Sequence, residues 1–331
     1  MRENESFTFE EGLLQLADER AALSSLVLYA LSAPSTEEVR LFRRQWPTLP
    51  VERRRKIITA LAESAEANFE LDFNALFRVT MDDEDEHVRT VSIDGLWEDE
   101  GPALVAPLVH VLRHDQAVSS RAAAASSLGR FVLLAELEEL DERYAKLIHG
   151  ALLEVTGNRE EPLEVRRRAV ESIAYWDEHC VHDIIAAAYQ DSAELMRISA
   201  VFAMGRSVDP DWSEIVRGEL YNSNPAMRYE AARACGELEV KAAVPELSAL
   251  VSDPDREVQF AAIGALGQIG GPQAQRVLER SARSSDEAMR MAAEDALAEL
   301  QLGQQPLDLL VLDSDIECDE DDEDLEAADQ E

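Results

Sequence analysis

Cysteine, aromatic residues and positive charge are all scarce in this chain, and each shortage removes a class of protein. The three cysteines, Cys180, Cys235 and Cys318, form no Cys-x-x-Cys pair. That argues against a disulfide framework and fits a reducing compartment. No apolar run reaches the roughly 20 residues that cross a bilayer; the longest lie near Leu23 to Ala33 and Pro102 to Leu112. The opening Met1-Arg2-Glu3-Asn4-Glu5 lacks the basic-then-apolar order of a secretory signal. A cytoplasmic protein with no membrane partner is expected. The net charge is −37, and no Lys or Arg follows Arg290. Duplex binding needs cations that displace phosphate counterions, and anionic lipid attracts basic segments, so general nucleic-acid binding and lipid docking are both disfavoured. Gly-rich phosphate loops, nucleophile elbows and cysteine-protease arrangements are missing too. Gly267-Gln268-Ile269-Gly270-Gly271 reads as a helix end and a turn. No catalytic residue and no cofactor are expected.

What is present is a period. From Arg166 onward an arginine, preceded by an apolar residue and followed by alanines, recurs every 31 residues, as in Met196-Arg197-Ile198-Ser199-Ala200 and Met227-Arg228-Tyr229-Glu230-Ala231. The register extends back through Arg121, Arg89 and Arg54 and forward to Arg290, with Gln259 in one copy. Eight residues after each position stand Trp97, Gly129, Ala174, Gly205, Gly236, Gly267 and Ala298. Their separations are 32, 45, 31, 31, 31 and 31 residues, so one insertion lies between Gly129 and Ala174. Positions −1, +3, +4 and +7 fall on one face of a 3.6-residue helix, the buried stripe of an amphipathic helix. A shorter helix precedes each, as in Pro245 to Val251 and Gly101 to Leu108, and turns such as Asp253-Pro254-Asp255 and Asn222-Ser223-Asn224-Pro225 supply N-caps. Such a period signals a helical repeat array, one elongated body held by neighbour contacts, with aromatics at only 6% because Ala and Leu make the core.

The Asp, then Val-Arg, then Ala-x-x-Ala-Leu-Gly pattern resembles the HEAT repeat, in the short bacterial form named after phycobilisome lyases, over roughly residues 35 to 300. The chain is also similar to bacterial HEAT-repeat proteins with no established activity. The resemblance implies an all-α, right-handed α-solenoid of about eight helix pairs, with the arginine helices on the concave side. It further implies a ladder in which Asp115, Asp191 and Asp253 meet Arg89, Arg121, Arg166, Arg197, Arg228 and Arg290, with a doubtful rung at Gln259. Residues 1–34 are expected to cap the array through Phe7, Phe9, Leu13, Leu14 and Leu16, and 35–302 to form it. Within the array, 131–161 is expected to lengthen one helix pair. Residues 303–331, twelve of them acids after position 312, are expected to be a disordered tail. Glu294 interrupts the +4 column, as a terminal capping repeat requires. Among HEAT proteins, deoxyhypusine hydroxylase takes its iron ligands from His-Glu dipeptides. This chain has none, only Glu86-His87 and Glu178-His179 in reverse.

Two candidate sites remain. His179-Cys180-Val181-His182-Asp183 and the pair His110 and His114 hold metal-ligating types, but neither shows the second half that about four convergent zinc ligands require. Both read as helix-surface residues, with no metal. The other candidate is the exposed stripe at +1, +5 and +9 of the arginine helices, which brings together Arg130, Arg167, Tyr175, Phe202, Arg206, Tyr229, Arg233 and Phe260. Tyr and Arg are enriched at binding hot spots. Either these side chains line a concave groove for an acidic or aromatic-bearing peptide, or they pack sideways between adjacent helices. A scaffold holding a protein or peptide partner is the leading expectation, and intramolecular binding of the acidic tail is a possible extension. A bilin-lyase-like chromophore factor and a hydroxylase of the deoxyhypusine type are the alternatives.

Overall fold

The computed structural model describes residues 7–304, so the acidic run from residue 313 lies outside the described residues. Among the described residues there are helices and no strand. Eight inner helices carry the arginine columns: α4 (Val51–Ala67), α6 (Glu86–Gly95), α8 (Val118–Glu136), α10 (Leu163–Ile173), α12 (Glu194–Arg206), α14 (Pro225–Glu237), α16 (Arg256–Ile269) and α18 (Glu287–Gln304). Each follows an outer helix: α3 (Thr36–Gln45), α5 (Asn74–Thr80), α7 (Val105–His114), α9 (Glu142–Gly157), α11 (His179–Tyr189), α13 (Ser213–Glu219), α15 (Val244–Leu250) and α17 (Gly271–Ser281). The expected N-caps form: Asp255 accepts from the N–H groups of Glu257 and Val258, and Asn224 from that of Ala226. Gly270, with φ of 66°, ends α16 in a conformation open to glycine. The inner helices pack side by side along the array while neighbouring outer helices meet less closely. A stack held tighter on one side curves toward it, and the arginine helices form the concave face.

Burial follows the columns. At +3, Ser92, Ala124, Ala169, Ala200, Ala231, Ala262 and Ala293 are all wholly enclosed. Small side chains there let backbones approach, and the glycines at +8 carry this furthest. A Cβ on Gly236 would lie 2.9 Å from the Cα of Ala265, and one on Gly205 the same distance from the Cα of Ala234. In α18, the last helix among the described residues, Glu294 leaves the column and is exposed.

The insertion lengthens α8 and supplies α9 as its outer helix. At the N-terminus α1 (Phe9–Ala17) and α2 (Ser25–Ala30) close the stack. Phe9, Leu13 and Leu16 are buried and Phe7 is partly so, but Leu14 is 68% exposed, contrary to the expectation that it helps seal the end. One helix has one inward stripe, and Leu14 falls beside it. Buried Arg53 of α4 donates to the carbonyls of Gln15, Leu16 and Ala21, satisfying the open end of α1.

The arginine ladder forms, with corrections. Five copies share a bond back to the turn six residues earlier: Arg89 to Asp83 O, Arg121 to Asp115 O, Arg197 to Asp191 O, Arg228 to Asn222 O, and Gln259 to Asp253 O. The forward bond to the next repeat varies. Arg89 forks onto Asp115 at 2.7 and 2.8 Å, and Arg228 onto Asp253 at 2.8 and 2.7 Å. Burial alone would raise the Asp115 and Asp253 carboxyls, but the arginines and turn N–H groups hold both below the usual carboxylate range. Arg166 reaches Asp191 at 3.3 Å. Arg121 takes no aspartate forward; it meets Glu161, whose longer side chain spans the turn reshaped by the insertion. Arg197 pairs with no carboxylate among the described residues, because Asn222 stands where the acid would be. Arg290 approaches only Glu287 and Glu294 of its own helix. Gln259 keeps its backward bond, and the next turn offers Ser284 in place of an acid. A further rung starts earlier: Arg54 donates to Asp83 at 2.6 Å, and Trp46 Nε1 donates to the same carboxylate.

Candidate functional site

The stripe side chains lie on the concave face, and each is half-buried rather than free. The two alternatives therefore separate by residue. Arg167 is held sideways, donating to Leu195 O and Ser199 Oγ of the next repeat and to Glu164. Arg130 is also turned in, donating to Asp99 O and to Ser127. Desolvation lowers the Arg130 pKa to about 10. Both expected contact residues are instead cross-braces, since a guanidinium with five donors beside open carbonyls satisfies itself locally. Ile198, the +1 residue after Arg197 and so a stripe position by register, is buried.

Farther along, the structure brings aromatic and cationic groups together across α12, α14 and α16. The Phe202 ring has the Arg206 guanidinium 5.3 Å from its centroid and that of Arg233 at 5.6 Å. Arg233 also lies 5.8 Å from the Tyr229 ring, and Arg256 lies 5.3 Å from that of Phe260. These are cation–π distances. Arg206, Tyr229, Arg233 and Phe260 line one shallow groove with Glu237, Glu257 and Gln268. Beside it, Tyr175, Leu133, Arg206 and Val208 line a wider cleft of about 790 Å³ where the inner helices end. That volume is in the range of ligand and peptide pockets. The exposure of Val208, at 67%, adds an apolar edge that the repeat register did not single out.

The groove is not positively lined, contrary to expectation. Glu237 Oε1 lies 3.4 Å from Arg206 and 3.3 Å from Arg233, so one carboxylate serves two guanidinium groups. Glu230 lies 3.6 Å from Arg233. Its carboxyl is pushed up to about 7 by burial, with Arg233 opposing and Glu171 and Glu237 adding to the rise. Glu230 Oε2 and Arg206 Nε are both screened from water and make no hydrogen bond. Buried polar atoms of this kind are few in native proteins. Glu237 falls on the stripe at +9, whereas Glu230, at +2, lies off the +1, +5 and +9 positions and was missed. Their pairs with Arg233 lie within α14, and the packing of α12 against α14 adds Arg206 to Glu237.

The histidine segment also looks different in space. His149 of α9 meets Glu178 and Cys180, and His182 meets Asp209 and Asp211, each as a three-residue cluster. His110 and His114 pack their rings together at 4.9 Å without such partners.

A stack of helix pairs with this ladder is an α-solenoid. Residues 214–298 match the family model described as HEAT repeats, and the same columns are buried from α4 to α16. The chain is a HEAT-repeat protein. No curated protein matches it. Among solved structures, human deoxyhypusine hydroxylase in complex with glycerol is similar over 80% of this chain and 96% of its own, at 18% identity and a TM-score of 0.36. Importin beta is similar over 88% of this chain and 44% of its own, at 14% identity and a TM-score of 0.45. A designed armadillo repeat protein is similar over 59% of this chain and 99% of its own, at 16% identity and a TM-score of 0.38. No helix among the described residues is long and apolar enough to cross a membrane.

Proposed function

We propose that the chain is a non-catalytic, cytoplasmic scaffold that holds a protein or peptide partner on its concave face, across α12, α14 and α16. The observation that carries this reading is the Phe202, Arg206, Arg233 and Tyr229 cluster, in which aromatic faces and guanidinium planes are already ordered before a partner arrives. Preorganised Tyr and Arg side chains lose little freedom on binding, which is why such residues dominate interface energetics. Because the glutamates balance the arginines, the partner is recognised by stacking on these rings and guanidinium planes rather than by bulk charge. An acidic segment is therefore not the favoured ligand.

Affinity capture from lysate of the source cell tests this. Wild type is compared with a Phe202→Ala, Arg233→Ala double variant of unchanged helicity. A partner retained by the first and lost by the second supports the groove; equal retention by both overturns it. Truncating a hot-spot side chain costs about 2 kcal/mol or more of binding, roughly 30-fold in affinity.

A further inference from the structure

The segment around Cys180, set aside in the sequence for want of converging ligands, acquires one from the inserted helix α9. His149, in the inserted α9, points Nε2 at the start of α11. There it lies 3.3 Å from Glu178 Oε2. Cys180 Sγ lies 3.4 Å from the same carboxylate oxygen, and the three ligand atoms all fall within 4.8 Å of one another. Zinc bonds of about 2.0–2.3 Å in a tetrahedral shell require ligand atoms roughly 3.3–3.8 Å apart, so two of the three edges already match. His149 Nε2 is screened from solvent and makes no hydrogen bond, despite the nearby carboxylate. A ring nitrogen that approaches an acid without aligning to it is placed to share a common centre instead. Trp176 packs edge-on against the His149 ring at 4.5 Å and fixes its plane, as supporting groups do around metal ligands.

We propose that His149, Glu178 and Cys180 form a Zn²⁺ site with its fourth position open to water. Imidazole, carboxylate and thiolate together select zinc over magnesium or calcium, which take oxygen donors. The thiol proton leaves to solvent as the metal–sulfur bond forms. The location gives the site a purpose independent of partner binding. Outer helices α9 and α11 share few contacts, and the insertion has shifted the register between them. A metal there ties the inserted helix to the next regular repeat. His182, Asp209 and Asp211 form a separate triple near Trp212, whose ring stacks on His182 at 4.2 Å. It contains no thiol, which makes it an internal control.

The test is titration of the full reduced chain with Co²⁺ as a spectroscopic probe, followed by competition with Zn²⁺. A single equivalent should produce the near-ultraviolet thiolate-to-cobalt absorption and tetrahedral visible bands, and Zn²⁺ should bleach both. Cys180→Ser should abolish the near-ultraviolet band. His149→Ala should weaken binding at least about ten-fold, while His182→Ala should leave band and affinity unchanged. Cys180 and His149 both lie outside the core, so circular dichroism of each variant should match wild type. Absence of the thiolate band in wild type, or its survival in Cys180→Ser, overturns the assignment. A band lost with His182→Ala but kept with His149→Ala overturns the ligand set.

Discussion

Glu230 is the best lever on the groove, because its ionisation is coupled to folding. The carboxyl sits in the concave face with its pKa raised to about 7, burial being the main cause. Its ordinary value is 4.5. A folded state that binds a proton more tightly than the unfolded chain is favoured at low pH. Stability attached to Glu230 is therefore intact below the unfolded value and falls as pH rises through 4.5 toward 7, where the ionised carboxylate must be held half-desolvated. Each pKa unit is worth about 1.4 kcal/mol, so the full penalty above pH 7 is on the order of 3 kcal/mol. By the same linkage about 1 kcal/mol is already present at pH 5, leaving roughly 2–3 kcal/mol to develop between pH 5 and pH 8. Glu230→Gln removes the charge and keeps the shape. Urea unfolding of both proteins at pH 5.0 and 8.0 is the assay. The variant should gain stability relative to wild type, by more at pH 8.0. An advantage that stays flat with pH, or a variant less stable at pH 8.0, refutes the reasoning and means that Arg233 and Arg206 compensate the ionised form fully.

Other outcomes follow from the same packing. Gly236→Ala should cost about 1–3 kcal/mol in urea unfolding, since its Cβ would push against the Ala265 backbone of the next helix. Gly264→Ala, in α16 with open space around its Cβ position, should instead stabilise by up to about 1 kcal/mol through helix propensity. Arg54→Ala leaves Asp83, whose side chain is 1% exposed, with the Trp46 indole and the Asp85 N–H but no cation, and should cost about 3–5 kcal/mol. Arg40→Ala, which breaks a pair with both side chains at about two-thirds exposure, should cost less than about 1 kcal/mol by the same measurement.

Which parts of this were legible in advance depends on how far each interaction reaches along the chain. The +3 column of Ala and Ser was readable because a helix repeats its inward face every few residues and each copy meets the same neighbour. Gly205, Gly236 and Gly267 were readable as close-approach positions for the same reason. Sites that depend on one irregular step were not. Glu161 replaces an aspartate only because the insertion alters a single turn. Arg130 and Arg167 occupy the stripe by register, yet both turn away to carbonyl and hydroxyl partners in neighbouring repeats. His149 lies 29 residues before Glu178, a spacing that matches no ligand pattern, and only the antiparallel return of α9 and α10 brings them together.

The sequence by itself determined the solenoid, its repeat length, its buried columns and the place of the insertion. All of these follow from helix periodicity and from where the repeating pattern holds or breaks. Tertiary structure alone decided the charge of the groove, the raised Glu230 carboxyl, the forward partners of Arg121 and Arg54, and the convergence of His149 on Glu178 and Cys180. Those depend on distances of a few ångströms between side chains from different helices. Electrostatics and ligand geometry change steeply over such distances, while a repeating pattern stays silent about them.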